Sequence, residues 1–364
     1  MNRLRLKFSI GLFFLLSILT IGFNTCIAHA ATGAGFSMMP QYPSNQVKGK
    51  NGSFFLQVKP GQTQKITVVV VNQENKNRTI RFGINTAYTT DNGSIAYDLA
   101  DKYLPKDSSR KFLVGSFVQD PQVQDVKIGP KKAGTVSFTM KMPTTAFKGY
   151  LLGGIYAMPV GETSNTVTQK GTVLRNQYAY TLPITLTMDP TAELSLNLRL
   201  NTIRPKILSP VDRSVGIAVN VQNTNPTYIQ NKLYISAKVT RKGSNKVIHS
   251  KTVDNSDFAP NSNYDFSISW GGQPLEPGKY HLSWKSNIGG LQNWNFERDF
   301  TISNADAQSL NNQAGFKPNY VWLWILLGVL ALALIIIVTY YFGRKRNQKH
   351  AQANTNSVSS QRKR

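Results

Sequence analysis

Apolar residues that recur with a two-residue period constrain this chain more than any other feature. In VKPGQTQKITVVVVNQENKN, residues 58–77, a Pro-Gly turn precedes a run in which alternate residues from Ile66 to Val70 share one side of an extended chain. Branched side chains suit the pleated surface of a strand. The same order of proline turn and alternating run returns at 126–143 and 258–270. We predict that these stretches are strands with one buried face, which hold shape and carry no chemistry.

Short strands at intervals of about ten residues, with few helical patterns between them, are typical of β-sandwiches. We predict an all-β fold with two tandem immunoglobulin-like β-sandwich domains, over residues 35–159 and 176–304, plus one C-terminal transmembrane α-helix. The polar stretch VGETSNTVTQKGTVLRN has no large apolar residue until near its end, and we interpret residues 160–175 as the linker between the domains or as a long loop. A second linker, next to the membrane, is predicted at 305–319.

The two ends of the chain have the composition of targeting and membrane segments. Basic residues, an apolar run and Ala-His-Ala predict a signal peptide over residues 1–30, with a short membrane anchor as the alternative. YVWLWILLGVLALALIIIVTYYF, residues 320–342, holds no charge; as a helix it would span about 34 Å, against a hydrocarbon layer of about 30 Å. The positive-inside rule assigns the basic tail, residues 343–364, to the cytoplasm. We predict a single-pass cell-membrane protein with its N-terminus outside and its domains in the cell wall zone.

The charge of the exported part points to anionic partners. The signal peptide holds three of the 42 basic residues and the tail seven, which leaves 32 basic against 18 acidic residues and a net charge of +14. A basic surface attracts teichoic acids, peptidoglycan carboxylates or lipid headgroups. Solubility alone is the other explanation of such a surface. Cys26, the only cysteine, leaves with the signal peptide, and the absence of disulfides favours a bacterial and in particular a Gram-positive surface protein.

The residues that catalysis or metal binding would need are few. The exported part has two histidines, His249 and His281, and each alternates with apolar neighbours on a predicted strand, so we expect both to face solvent. A Ser/His/Asp set, a phosphate-binding glycine loop and an HExxH motif are not visible. We therefore predict no catalytic residue, no cofactor, no metal site and no nucleic-acid partner.

Two local features could serve either binding or packing. In GKYHLSWKSNIGGLQNWNFERDF, a hairpin folded about Gly289 would place Trp284 opposite Trp294 on the apolar side, which favours core packing over a sugar-stacking platform. Gly153 and Gly154 lie inside a predicted strand, where glycine indicates a bulge, tight packing or the close approach of a ligand. We expect packing in both cases.

The order of several segments resembles the WxL-interacting proteins of Gram-positive cell surfaces. Four segments look like the family's first domain: GFSMMPQYPSNQVKGKNGSFFLQVKPGQTQKITVVVVNQENKN, INTAYTTDNGSIAYD, KIGPKKAGTVSFTMKMP and FKGYLLGGIYAM. Four others look like its second domain: NQYAYTLPITL, LNTIRPKI, VQNTNPTYIQNKLYISAKVTRKGSNKVI and FAPNSNYDFSISWGGQPLEPGKYHLSW. A terminal apolar helix with a basic tail completes the likeness.

The resemblance implies an N-terminal peptidoglycan-binding domain, a second domain that binds host components, and partnership with WxL-domain proteins. It brings no catalytic motif and places no residue that contacts wall or partner. We therefore predict a non-enzymatic surface scaffold or adhesion protein that binds peptidoglycan or another anionic wall polymer, together with WxL-domain partners. Two alternatives stay open: an adhesin whose second domain binds host extracellular matrix directly, and an immunoglobulin-like assembly chaperone for exported proteins.

Overall fold

The 364-residue chain folds mainly into β-sheets, with 51% of its residues in strands, which confirms the predicted all-β fold. The predicted signal peptide, residues 1–30, and the basic tail, residues 343–364, lie outside the described residues. The structure is a computed structural model that describes residues 35–119, 121–161, 164–169, 172–176, 178–209, 211–316, 321 and 323–340.

Two sheets and two small hairpins form the first domain. Its strands are, in chain order, β1 Phe36–Gln41, β2 Phe54–Gln57, β3 Thr63–Asn72, β4 Arg78–Thr86, β5 Tyr88–Thr89, β6 Ile95–Ala96, β7 Val123–Ile128, β8 Ala133–Lys141, β9 Tyr150–Pro159, β10 Ser164–Gln169, β11 Thr172–Asn176 and β12 Tyr180–Thr187. One sheet has the order β1-β3-β8, and the other has the order β2-β12-β9-β4-β7. The hairpins are β5–β6 and β10–β11.

The two sheets of the first domain each bury one face in a shared core. In β3, Ile66, Val68 and Val70 are fully buried, whereas Val69 and Val71 are partly exposed. They share their core with residues of the five-stranded sheet, among them Ile80, Phe82, Ile155 and Ile184. Burial of apolar surface contributes about 25 cal/mol per Å². The two-residue period in the sequence therefore marks a core strand, as predicted.

Strand β12 belongs to the first domain, whereas the predicted second domain begins at residue 176. The strand pairs in parallel with β2 and antiparallel with β9. Its residues Leu182, Ile184 and Leu186 are buried in the first core. The described part of residues 160–175, predicted to be the linker or a long loop, forms the β10–β11 hairpin between β9 and β12. A polar composition suits a hairpin as well as a linker, so composition could not separate the two.

Gly153 and Gly154 lie in β9, where neighbouring groups leave no space for a side chain. A Cβ added at Gly153 would lie 2.5 Å from Val114 Cγ1 and 2.8 Å from the Asn85 carbonyl oxygen. A Cβ added at Gly154 would lie 2.8 Å from Tyr97 Cδ1. Glycine in a strand interior commonly marks such a close approach. The expectation of tight packing is therefore confirmed for both residues.

The second domain also has two sheets. Its strands are β13 Leu198–Ser209, β14 Ser214–Asn223, β15 Ile229–Arg241, β16 Val247–Phe258, β17 Ser262–Ser269, β18 Gly278–Ile288 and β19 Gln292–Ile302. The sheet orders are β13-β14-β17 and β16-β15-β18-β19. Apolar residues from both sheets fill one core, and they include Val219, Ile235, Phe266 and Leu282.

Trp284, on β18, is fully buried in this second core. Its ring meets the ring of Phe266 edge to face, with centroids 4.9 Å apart. Its indole N–H donates to Ser286 Oγ at 3.0 Å, so the polar end of the side chain also has a partner. Core packing is therefore confirmed for Trp284, and its ring is not available as a sugar-stacking platform.

The predicted pairing of the tryptophan hairpin is wrong by two residues. Trp284 lies opposite Phe296 and does not lie opposite Trp294, which is partly exposed. The turn is centred on Gly290 and not on Gly289, and a shift of the centre by one residue moves every cross-strand partner by two. Both glycines have positive φ, so either could have been read as the centre of the turn.

The second domain ends in a helix, α1, which covers Asn304–Gln313, where residues 305–319 were predicted to be a linker. The Ser303 hydroxyl accepts a hydrogen bond from the Asp306 amide at 3.0 Å and so caps the helix. Ala307 is buried in the second core, so α1 packs on the domain. Ala307 and the partly buried Leu310 make this contact, and α1 lacks the wide apolar stripe by which a helix is usually predicted.

A further helix, α2, covers Leu323–Tyr340 and is long and apolar enough to cross a membrane. It lies inside the predicted span at 320–342. None of its residues is buried against the rest of the described protein. The two domains therefore owe none of their core to α2.

The position of β12 predicts where the first domain can be cut. A fragment of residues 35–190 should unfold in one cooperative transition, because it holds both sheets and their core. A fragment of residues 35–159 should not, because it lacks the strand between β2 and β9 and leaves their apolar surface exposed. Urea unfolding followed by circular dichroism distinguishes the two. A cooperative transition of the shorter fragment would contradict the assignment of β12.

The burial of Trp284 predicts the effect of its removal. Trp284→Ala should lower the free energy of unfolding of the second domain by about 3–5 kcal/mol, because it opens a cavity in the core. Trp294→Ala is the control on the same hairpin, and it should cost clearly less because the side chain is partly exposed. Chemical denaturation measures both, and equal losses would contradict the difference in burial.

Candidate functional site

The β5–β6 hairpin of the first domain is hydrogen-bonded to the second domain. Thr89 Oγ1 and Ser262 Oγ lie 2.6 Å apart, and the Ala259 amide donates to Thr89 Oγ1 at 3.0 Å. The Asp257 amide donates to the Gly93 carbonyl oxygen at 2.7 Å. Backbone groups of both domains therefore take part in the junction, which makes it less dependent on any single side chain.

Two carboxylates of the first domain extend this junction. Asp107 accepts a hydrogen bond from Gln222 Nε2 at 2.7 Å and another from Asn263 Nδ2 at 2.9 Å. Asp91 forms an ion pair with Lys206, whose Nζ lies 2.7 Å from its Oδ2. Hydrogen bonds with an ionised partner are shorter and stronger than neutral ones. The junction thus combines neutral and charged contacts.

An apolar cluster lies behind these polar contacts. Ala87, Tyr97 and Leu152 of the first domain are buried together with Ala259 of the second. The Tyr150 amide donates to the carbonyl oxygen of Pro226, at 2.8 Å, beside the cluster. Polar and apolar contacts both cross the junction. Residues of the two domains can therefore line one common site.

A cleft of about 430 Å³ opens at the junction, and 13 of its 17 lining residues belong to the first domain. Its walls include Phe112, Phe147 and Leu151. The ring centroids of Phe112 and Phe147 lie 6.0 Å apart. The second domain contributes Thr224, Pro226, Pro260 and Asn261. The volume falls in the range of about 300–1,000 Å³ that is usual for small-ligand pockets.

Arg110 lines the cleft and joins the two domains. Its Nε donates to the Asn261 carbonyl oxygen at 3.1 Å, and its Nη1 donates to the Pro105 carbonyl oxygen at 3.3 Å. Its Nη2 is buried without a hydrogen-bond partner among the described residues. Burial lowers the pKa of Arg110, against the opposite effect of Asp107 and Asp101. The guanidinium is a fixed positive charge that the protein compensates only in part.

Two lysines add positive charge to the cleft. Lys111 and Lys148 line it and are exposed. Within the described part of the chain, these lysines and Arg110 are the charged side chains of the cleft lining. A cleft with apolar walls and exclusively positive charges can hold an anion that carries small apolar groups.

A second groove, of about 310 Å³, also lies at the junction. Its lining includes Phe55 and Tyr228, whose rings both meet the ring of Tyr150, with centroids 5.9 and 5.8 Å away. Lys50 Nζ lies 5.6 Å from the centroid of the Phe55 ring. Hydroxyl and amide groups complete the lining, so this groove is more polar than the cleft around Arg110.

His249 and His281 lie away from the cleft, and neither is fully buried. His249 stacks on Trp270 with ring centroids 4.1 Å apart, and burial lowers the pKa of His249. His281 Nδ1 lies 2.7 Å from Asp299, and its Nε2 lies 2.8 Å from Glu297. These two hydrogen bonds, the one with Asp299 first, raise the pKa of His281. His249 is therefore part of a ring stack, and His281 is part of a cluster of ion pairs at the surface.

In the described ranges, no group of three or more His, Cys, Asp or Glu side chains could hold a metal ion.

The sequence offered no signal for the cleft. Arg110 and Asn261 lie in different domains, and only the fold brings them together. The cluster KDSSRKF at 106–112 was visible as a basic stretch, but basic stretches are common in this chain.

Comparison with protein families gives two matches. The peptidoglycan-binding domain of WxL-interacting proteins matches residues 36–158, and the host-binding domain of the same family matches residues 169–312. The second match begins before β12, which the structure places in a sheet of the first domain. No curated protein matches the chain.

Solved structures similar to this chain include two bacterial chaperones and one complex of a chaperone with an adhesion subunit. The CupB2 chaperone of Pseudomonas aeruginosa is 13% identical, with 66% of this chain and 93% of that chain covered and a TM-score of 0.25. The E. coli chaperone DraB is 13% identical, with 74% and 98% covered and a TM-score of 0.25. The CsuC–CsuE complex of Acinetobacter baumannii is 11% identical, with 72% and 97% covered and a TM-score of 0.29. Scores this low carry no argument.

The two family matches cover well over half of the chain, and they follow the order of the domains along it. They agree with the segments that suggested the same family from sequence. The chain therefore belongs to the family of WxL-interacting proteins.

Proposed function

We propose that the protein is a non-enzymatic scaffold of the cell surface, anchored by α2. It binds peptidoglycan through its first domain, and it binds WxL-domain proteins or host components through its second. The observation that carries the proposal is the match to a peptidoglycan-binding and a host-binding domain, followed by a helix that could cross a membrane. Both matches are to binding domains, which supports a role without catalysis.

The charge distribution supports a wall-facing first domain. Residues 36–158 hold 16 basic and 7 acidic residues and so carry +9 of the +14 of the exported part. Teichoic acids and peptidoglycan carboxylates are anionic, and a basic domain concentrates near them. Exposed charge acts over about 10 Å at 0.1 M salt and over about 3 Å at 1 M. Part of the binding should therefore depend on salt.

The junction supports a scaffold role. Because hydrogen bonds, an ion pair and an apolar cluster join the two domains, a partner held by one domain stays at a defined distance from a ligand held by the other. Several weak contacts that share one anchor raise the effective concentration of each partner for the next. WxL-domain proteins are the partners that the family name gives.

The orientation of the chain rests on the basic tail. The residues from 343 to 364 hold seven basic residues and no acidic residue, which favours a cytoplasmic tail. The two domains then lie outside the cell, after removal of the signal peptide. A membrane-anchored protein with this orientation would contact the side of a Gram-positive cell wall that faces the membrane.

A second candidate function is that of an adhesin which binds host extracellular matrix directly. The match of residues 169–312 to a host-binding domain favours it. The assembly-chaperone alternative has no comparable support among the family matches. Binding of the isolated second domain to immobilised matrix protein would favour the adhesin. Copurification of WxL-domain proteins with this protein from cell envelopes would favour the scaffold.

The proposal that the first domain binds the wall and the second binds other partners predicts the outcome of sedimentation with purified peptidoglycan sacculi. Residues 35–190 should cosediment, because they hold the complete first domain and most of the positive charge. Residues 191–316 should sediment poorly. Raising the salt to 1 M should release the protein that is held by charge attraction, whereas protein that is held by specific contacts should stay bound to the sacculi.

Two results would count against this proposal. Equal sedimentation of the two fragments would show that wall binding is not a property of the first domain. A failure of both fragments and of the full-length protein would show that contact with the wall runs through another protein.

The proposed orientation predicts a protease experiment on cells whose wall has been removed. Added protease should degrade residues 31–319, because both domains face the medium, and it should leave an epitope placed after residue 364. A version with the basic residues of the tail replaced by glutamine is the matched control for the charge rule, and it should lose this uniform orientation. Protection of the domains in the unaltered protein would contradict the assignment.

A further inference from the structure

The cleft at the domain junction is unusual in its charge. Its lining includes Arg110, Lys111 and Lys148, and no acidic side chain lines it in the described part of the chain. Two carboxylates near Arg110, Asp107 and Asp101, lie outside the lining. Gln222, Asn263 and Ser109 donate to Asp107, and the Thr86 amide donates to Asp101. The cleft therefore presents positive charge that no lining carboxylate offsets.

Arg110 and the two lysines have different roles. The guanidinium of Arg110 is held by the carbonyl oxygens of Asn261 and Pro105, so its charge stays in place. Its Nη2 is buried, and Arg110 thus acts on a ligand through its field and positions both domains around the cleft. Lys111 and Lys148 are exposed and can reach into the cleft. They are the groups that would contact an anion.

The walls define the rest of the ligand. Phe112 and Phe147 present ring surfaces, and Leu151 adds an aliphatic side chain. A phosphate or a highly charged polymer would gain nothing from such walls, and burial of its other charges there would be costly. A single carboxylate that follows small apolar side chains satisfies both the lysines and the rings.

We propose that this cleft binds the free carboxyl end of a peptidoglycan stem peptide. The carboxylate lies between Lys111 and Lys148, and the methyl groups of the terminal alanines lie against Phe112 and Phe147. The inference rests on the wall-binding function proposed above and names the part of the wall that is recognised. It is favoured over a protein C-terminus because the first domain supplies 13 of the 17 lining residues and matches a peptidoglycan-binding domain.

The test uses full-length protein in detergent micelles and isothermal titration calorimetry. The probe is the pentapeptide L-Ala-γ-D-Glu-L-Lys-D-Ala-D-Ala, with the same peptide carrying a C-terminal carboxamide as the control ligand. Lys111→Ala/Lys148→Ala removes the two contacts. Lys65→Ala/Lys127→Ala is the matched control, because it removes the same charge from exposed positions outside the cleft.

The free-acid peptide should bind the unaltered protein and the control variant with affinities that agree within about twofold. The cleft variant should lose at least about tenfold in affinity, which is the effect of roughly 1.4 kcal/mol. The carboxamide peptide should lose a similar factor on the unaltered protein. Equal binding of acid and amide, or an unchanged affinity of the cleft variant, would overturn the proposal. Tighter binding of an all-L peptide that ends in two alanines would also overturn it, in favour of a protein C-terminus.

Sedimentation with sacculi separates this inference from the function on which it rests. If the unaltered protein and the cleft variant sediment equally, the first domain binds the wall at another place, and only the cleft assignment is wrong. If the unaltered protein does not sediment, the wall-binding function is wrong as well. Weaker sedimentation of the cleft variant than of the control variant supports both.

Discussion

The pairing of β12 with β2 on one side and β9 on the other is the interaction on which the rest of the structure depends. It completes the five-stranded sheet of the first domain and covers its core with Leu182, Ile184 and Leu186. The same strand leads directly into the second domain, and backbone hydrogen bonds on both sides hold it in place. Strand β4 of the same sheet leads into the β5–β6 hairpin that binds the second domain. The junction and its cleft are therefore consequences of one sheet.

The sequence was a good guide wherever a local pattern decides the structure. The alternation from Ile66 to Val70 identified a core strand because a two-residue period has one meaning when one face is buried. Trp284 was correctly placed in the core for the same reason. The predictions that failed needed information about distant partners. β12 was recognised as a strand and assigned to the second domain, but it pairs with β2 of the first, and no pattern in YTLPITLT predicts that pairing. The hairpin register failed because two adjacent glycines offered two possible turn centres.

The candidate site was beyond local patterns altogether. Arg110 donates to the carbonyl oxygens of Asn261 and Pro105, and Asn261 lies in the other domain. No periodicity or spacing relates such residues, so a single sequence could predict the class of function but not the place where it occurs. The class came from a resemblance spread over many segments, and the two family matches bear it out. The physical cause of the gap is that binding sites at domain junctions are products of tertiary structure.

The packing of α1 on the second domain sets how far this protein can reach. Ala314, just after the helix, is buried in the second core, and α2 begins at Leu323. Eight residues lie between these two points, and the nine residue-to-residue steps of a fully extended chain span at most about 32 Å. With α2 in a bilayer, the end of the second domain lies within about 32 Å of the start of α2. In the orientation proposed above, a ligand or partner of the second domain must therefore come close to the membrane to be bound.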